Sequence, residues 1–255
     1  MALVPRPVRR LALAAVLMMV ATALGSSAGA AVIGTHDGRL SRVAPVPSAA
    51  EDTSPGRFLL VRVDRDLAIT ARPGGGGVVG TWPAGSRFYG TPSTAWVRRT
   101  NADGRFGLVD VPYAAEPRSG WIRLRGLERS WTRVRVIVDL SEHRLTVRGD
   151  AAVVLRVAAG TGAQASPTPT GRFVVTDRVA FPAGGVLGTF AFGISGIQSD
   201  LPAGWTGGDQ LAIHGTNAPT TIGRSASAGC LRVSEAVLAE LKPLLQLGTP
   251  VIVRP

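Results

Sequence analysis

From residue 58 onward the chain alternates apolar and polar positions over short runs cut by Gly, Pro, Asn and Asp. Residues 67–71, 78–82, 95–100, 106–111 and 120–124 read as strands. Five or so such strands in roughly 70 residues predict a small β-barrel or sandwich. The tetraglycine at 74–77 reads as a hairpin turn, because no Gly-Lys-Ser/Thr follows it and no helical pattern opens there to make a phosphate cradle. After Trp131, "VRVIVDLSEHRLTVRGDAAVVLRVAAGTG" predicts three strands with turns at 141–143 and 148–150, and His143 in the first turn reads as a surface residue. Residues 179–209 are rich in glycine and weakly periodic, which predicts a long functional loop, such as a lid. A short strand, "LAIHG", follows. The only helical pattern lies in "SEAVLAELKPLLQL". Ser234 suits the N-cap and Glu235 the first turn, while Val237, Leu238, Leu241 and Leu245 mark the apolar face. Pro243 is expected to end or kink the helix, and residues 248–250 to turn the chain into the strand "VIV".

The first 30 residues follow a different pattern. Arg6, Arg9 and Arg10 precede an apolar run at 11–24, and small residues end at Ala30. This is the layout of a signal peptide, 1–30, and the run is shorter than the roughly 20 residues of a spanning helix. Residues 31–56, rich in Pro, Ser and Ala, read as a linker that also holds His36. The domain plan is therefore a leader, a linker, a small all-β unit at 57–130 and a mainly β unit with one packed helix at 131–255. The order of "ARP", Gly and Trp positions in the first unit is similar to that of bacterial SH3-like modules.

Charge and cysteine use bear on location and chemistry. The formal net charge is +11, and Lys242 is the only lysine. In an exported chain this favours anionic cell-wall polymers over nucleic acid, although an arginine-rich, GC-biased genome accounts for it equally well. Cys230 is the only cysteine. Exported proteins ordinarily pair their thiols, so a lone one is either a reactive group or a small buried hydrophobe.

The stretch "IHGTNAPTTIGRSASAGCLRVS" sets that thiol 16 residues after His214. A thiol attacks carbonyls as the thiolate, and a neighbouring imidazole both draws off its proton and returns it to a leaving amine. The amides of Gly229 and Cys230 are candidate oxyanion donors, and Arg232 offers a fork suited to a carboxylate. Spacing alone leaves catalysis and a buried thiol both open. One cysteine and three scattered histidines make no zinc ligand set, so no metal or cofactor is expected. Ser227 lacks the G-x-S-x-G elbow of a serine hydrolase.

"IHGTN…SASAGCLRV", together with "VIVDLSEHRLTV", "GTG…SPTPTGRF" and "GTPVIV" in that order, resembles the L,D-transpeptidase catalytic domain (YkuD-like) over about 134–253. The resemblance implies an L,D-transpeptidase-like β-sandwich with one packed helix, with Cys230 as nucleophile, His214 as base and the backbone of Gly229 and Cys230 as oxyanion donors. It implies substrate-binding roles for Arg232, Ser227, Gly215 and Thr216, with the Gly215 carbonyl orienting the imidazole. Ala228 departs from the pattern, because many members carry a second histidine there. The implied function is exported cell-wall remodelling, in which a peptidoglycan tetrapeptide stem is cleaved before its D-alanine through a Cys thioester. Transfer to an amine then gives 3→3 cross-links, and carbapenems are expected as acylating inhibitors. Water or a protein amine as acceptor is the near alternative, and a non-catalytic wall-binding protein the distant one. A coupled thiol and imidazole would give a bell-shaped rate profile.

Overall fold

The computed structural model describes residues 56–255. The predicted leader, His36 and all of the predicted linker except Gly56 lie outside the described residues.

The first eight strands are β1 (Phe58–Val63), β2 (Leu67–Arg72), β3 (Gly75–Trp82), β4 (Ser93–Val97), β5 (Arg99–Thr100), β6 (Phe106–Asp110), β7 (Ser119–Arg123) and β8 (Arg129–Thr132). They make a three-stranded sheet, β4-β1-β8, and a five-stranded sheet, β3-β2-β7-β6-β5. One core serves both, with Val61, Ile69, Ala95, Val109 and Ile122 fully buried. Two of these strands had no clear pattern in the sequence. In β1, Phe58, Leu60, Val61 and Val63 are all buried, which hides the period-two alternation, and in β8 only Thr132 is buried. The tetraglycine hairpin turns at 73–74, and its remaining glycines enter β3.

From Val134 the strands are β9 (Val134–Asp139), β10 (Arg144–Gly149), β11 (Ala152–Ala158), β12 (Thr161–Gly162), β13 (Gly171–Ala180), β14 (Phe190–Ile197), β15 (Gln210–His214), β16 (Ser225–Ser227), β17 (Leu231–Arg232) and β18 (Pro250–Arg254). Eight of them form one mixed sheet in the order β11-β10-β9-β18-β13-β14-β15-β17, while β12 and β16 pair separately. β13 belongs to both halves of this sheet. Its first residues pair with β18 up to Val174, and from Val175 it pairs with β14, with an irregularity between Val175 and Asp177. Residues from both halves and from the helix α1 (Glu235–Leu244) share one core, including Val138, Phe192, Ile213, Leu238 and Val251.

The helix forms where its caps and apolar face place it. The Ser234 hydroxyl accepts from Val237 N at 3.2 Å, and Leu238, Leu241 and Leu245 are fully buried. Pro243 lies in the last turn, and the helix stops one residue later.

The reading of 179–209 as one long loop is corrected, because β14 runs through its middle. β14 is buried on both faces, so its sequence shows no alternation. Its glycines mark close approach: a Cβ at Gly193 would stand 2.8 Å from Gln210 Nε2, and one at Gly196 2.7 Å from the Phe173 ring. His143 is also reassigned. It is half-buried, with φ +47°, and its Nδ1 lies 3.0 Å from Thr161 Oγ1.

The amino-terminal sheets are packed directly on the larger one. Val174 of β13 is buried in their core, the Arg135 guanidinium lies 5.5 Å from the Phe58 ring centroid, and Gly248 leaves no room for a side chain beside Thr94.

Candidate active site

β15 and β17 run parallel, with Ile213 opposite Leu231 and His214 opposite Arg232. Alternation then sends Ile213 and Leu231 into the core, where both are essentially inaccessible. It brings Ala212, His214, Cys230 and Arg232 to the other face. There they line a cavity of about 310 Å³, together with Gln198, Gln210 and Ala228. The sheet register thus gathers the thiol, the imidazole and the guanidinium from the sequence motif into one cleft.

His214 is buried, and its Nδ1 lies 2.5 Å from the Gly215 carbonyl oxygen. A carbonyl can only accept, so Nδ1 carries the proton and the neutral ring keeps its lone pair on Nε2. Burial lowers the imidazole pKa to about 4; the Gly215 hydrogen bond opposes this, and the Arg232 charge adds to it. Gly215 is as tightly fixed as the ring it holds, since a Cβ there would collide with the Glu235 carboxylate and with Leu238 Cδ1.

Cys230 is half-buried and unpaired. Burial pushes its thiol pKa up, and a hydrogen bond from the Ala212 backbone and the Arg232 charge pull it down. Its sulfur lies 3.9 Å from the Gln210 carbonyl oxygen, and the described residues show no hydrogen bond between thiol and imidazole. Both groups are therefore neutral at rest, a thiol and an imidazole lining one cleft.

The loop before Cys230 is closed by Ser227. Its hydroxyl donates to the Cys230 carbonyl at 2.6 Å and accepts from Gly229 N at 3.1 Å. Ser227 also lines the cleft, and its hydroxyl, engaged within the loop, positions the cysteine. One expectation changes as a result. The Gly229 amide, expected as an oxyanion donor, points to that hydroxyl, which leaves the Cys230 amide as the remaining donor of the pair. Gly229 itself has φ +110°, and a Cβ there would stand 2.6 Å from Gln198 Nε2, so glycine is required for both conformation and space.

Arg232 donates from Nη1 to the Ala226 carbonyl at 3.3 Å, while its Nε is buried without a hydrogen bond. Thr216 lies outside the cleft lining, and its Oγ1 accepts from Ala218 N at 3.0 Å, which makes it a turn residue. Three further residues support the site. Thr168 accepts from Gly162 N and donates to the Gly229 carbonyl, both at 2.8 Å. Gln198 donates to the Pro167 carbonyl at 2.7 Å and accepts from Asp200 N at 2.9 Å. Gln210 presents its carbonyl to the thiol, and its side chain donates to Thr176 Oγ1 and Asp177 Oδ2, both at 3.0 Å. The "SPTPTG" run was the only sequence signal for Thr168, and the two glutamines gave none. Among the described residues, no group of three or more His, Cys, Asp or Glu is arranged to hold a metal ion.

Residues 133–253 match the family described as YkuD, L,D-transpeptidase catalytic domain. The chain is similar to a Bacillus licheniformis protein that carries the name L,D-transpeptidase YkuD, at 29% identity over 121 residues, which are 48% of this chain and 66% of that protein. A Bacillus subtilis protein of the same name is 28% identical over 118 residues, or 46% of this chain and 64% of that one. The matched region thus spans just under two thirds of these relatives. Among solved structures, a mutant of the Enterococcus faecium L,D-transpeptidase is 23% identical and covers 48% of this chain and 49% of its own, with a TM-score of 0.38. An L,D-transpeptidase from Mycobacterium smegmatis is 15% identical and covers 76% and 99%, with a TM-score of 0.41.

Proposed function

We propose, for a chain whose residues 133–253 belong to the L,D-transpeptidase catalytic-domain family, that Cys230 transfers acyl groups from peptidoglycan tetrapeptide stems. The observation that carries this reading is the parallel register of β15 and β17, which puts Cys230 and His214 on the same face of one cleft. The Gly215 carbonyl holds the imidazole so that its free nitrogen is Nε2.

In the proposed reaction, Cys230 Sγ attacks the carbonyl of the diamino acid that precedes D-alanine, as its proton passes to His214 Nε2. The Cys230 amide stabilises the developing oxyanion. Collapse breaks the C–N bond, the imidazolium returns its proton to the departing D-alanine amine, and a thioester remains. An acceptor amine, deprotonated by His214 Nε2, attacks the thioester to form the 3→3 amide and restores the thiol. Arg232, charged and within the cleft, is suited to a stem carboxylate. Carbapenems would acylate the same sulfur by opening their strained lactam. Water or a protein amine would resolve the same thioester, and product analysis with and without an acceptor stem distinguishes them. The pattern of residues 1–30 supports export, and the excess of arginine that remains without Arg6, Arg9 and Arg10 supports retention by anionic wall polymers.

Incubation with a donor tetrapeptide tests the reading. D-Alanine release and a mass gain confined to Cys230 are expected, and Cys230→Ala should lower turnover by on the order of 10⁶. No release and no adduct, or full turnover by Cys230→Ala, would overturn it. A wall-binding protein without catalysis would retain wall affinity and show neither product.

A further inference from the structure

The cleft beside Cys230 takes part of its wall from outside residues 133–253. Phe88 and Tyr89, between β3 and β4, line it together with Val186 and Trp205, which lie on either side of β14. These four side chains are 47, 54, 70 and 47% exposed. Single exposed hydrophobics are ordinary, but four around one mouth mark a ligand surface. Behind them the lining continues with Val179, Phe181, Leu187 and Leu201.

The amino-terminal loop is fixed against the larger sheet. The Ser86 hydroxyl donates to the fully buried carboxylate of Asp177 and accepts from Thr91 N at 3.1 Å. Arg87 Nη1 donates to Asp209 Oδ2 at 3.0 Å, and Tyr113 N donates to the Ser195 carbonyl at 2.7 Å. Asp177 also accepts from Gln210, whose own carbonyl faces the thiol. The loop is therefore tied to the strand beside the nucleophile, and its two rings are held at the cleft.

We infer that Phe88 and Tyr89 form a binding subsite that packs on the aliphatic side of the peptide stem reacting at Cys230. The inference rests on the function proposed above and adds the amino-terminal β unit to the substrate site. The wall there is apolar, and the charges of Arg87 and Asp209 are paired with each other. It suits the methylene chain of a diamino acid and the methyl of its neighbouring alanine better than a charged group.

The test uses the full chain and measures Cys230 acylation by a free donor tetrapeptide and by the same peptide on a disaccharide. Phe88→Ala and Tyr89→Ala should each raise KM about threefold to tenfold, with kcat changed less than about twofold, the signature of lost uniform binding. Tyr89→Phe should restore the parent KM. Val78→Ala, on the exposed face of β3, should leave both constants unchanged. Thermal melting of each variant should match the parent, because both rings are about half exposed. If the parent is acylated and the two alanine variants keep its KM, the subsite is overturned and the proposed function stands. If KM rises only for the disaccharide-linked donor, the occupant is sugar and the peptide assignment is overturned. If the parent is not acylated by either donor, both readings fall together.

Discussion

At the residue scale, the resting state of the cysteine–histidine pair is set by burial. His214 is neutral down to about pH 4, and the Cys230 thiol is pushed up, so neither group ionises near pH 7. The thiolate must then form during attack, by proton transfer to Nε2, and is not stored beforehand. The rate of acylation should therefore stay level through neutral pH. It should fall at the acid end near pH 4, where protonation removes the base. At the alkaline end it should fall above the raised thiol pKa, where the proton needed by the leaving amine is lost. Initial rates across a wide pH range check this. An acid arm centred near 6.5 would mean that the imidazole is solvated, contrary to its burial. Ala228 lines the same cleft without contributing a titrating group, which leaves His214 as the imidazole on which these arms depend.

At the element scale, the site is a loop held between strands. Thr168 joins the "SPTPTG" segment to the cysteine loop by two buried hydrogen bonds. Thr168→Val keeps the shape but leaves Gly162 N and the Gly229 carbonyl without that hydroxyl. A loss of about 1–3 kcal/mol in stability is expected, together with slower acylation as Gly229 shifts. Urea unfolding and the acylation rate are the two readouts. Much of this scale was legible in the sequence. The motif gave the thiol, the imidazole and the arginine, and local patterns gave the Ser234 cap, the helix face and six of the first eight strands. Other features left no local signal because their causes lie far away in the chain. β14 is covered on both faces, so its period vanished. Ser227 reads as a pocket residue and lines the cleft, but that its hydroxyl closes the cysteine loop shows only in the fold, and Gln198 and Gln210 matter only because folding brings them to Gly229 and Cys230. Phe88 and Tyr89 read as part of a β unit remote from the chemistry, and only the packing of the two sets of sheets brings them to the cleft.

At the scale of the whole molecule, the buried imidazole links activity to stability. The unfolded chain protonates His214 near 6.5, while the folded chain does so near 4. Its contribution is thus fully present above pH 6.5 and is lost as pH falls from 6.5 to 4, because the unfolded state binds the proton first. At about 1.4 kcal/mol per tenfold difference in proton affinity, the loss is roughly 3 kcal/mol. Denaturant unfolding at pH 7 and pH 4 should show it, and His214→Gln should remove that part of the slope. A parent and variant with the same pH dependence would show that other groups account for it.

The position of β18 has a consequence for how the molecule is made. The strand at 250–254 lies between β9 and β13, in the interior of the eight-stranded sheet. Until those residues have left the ribosome, β9 and β13 each lack their shared neighbour in the sheet, and those edges remain open. Closure of the eight-stranded sheet thus waits on β18, which follows every other strand of that sheet in the sequence. A nascent chain would therefore carry Cys230 and His214 in an unfinished sheet until translation had passed both residues and reached β18.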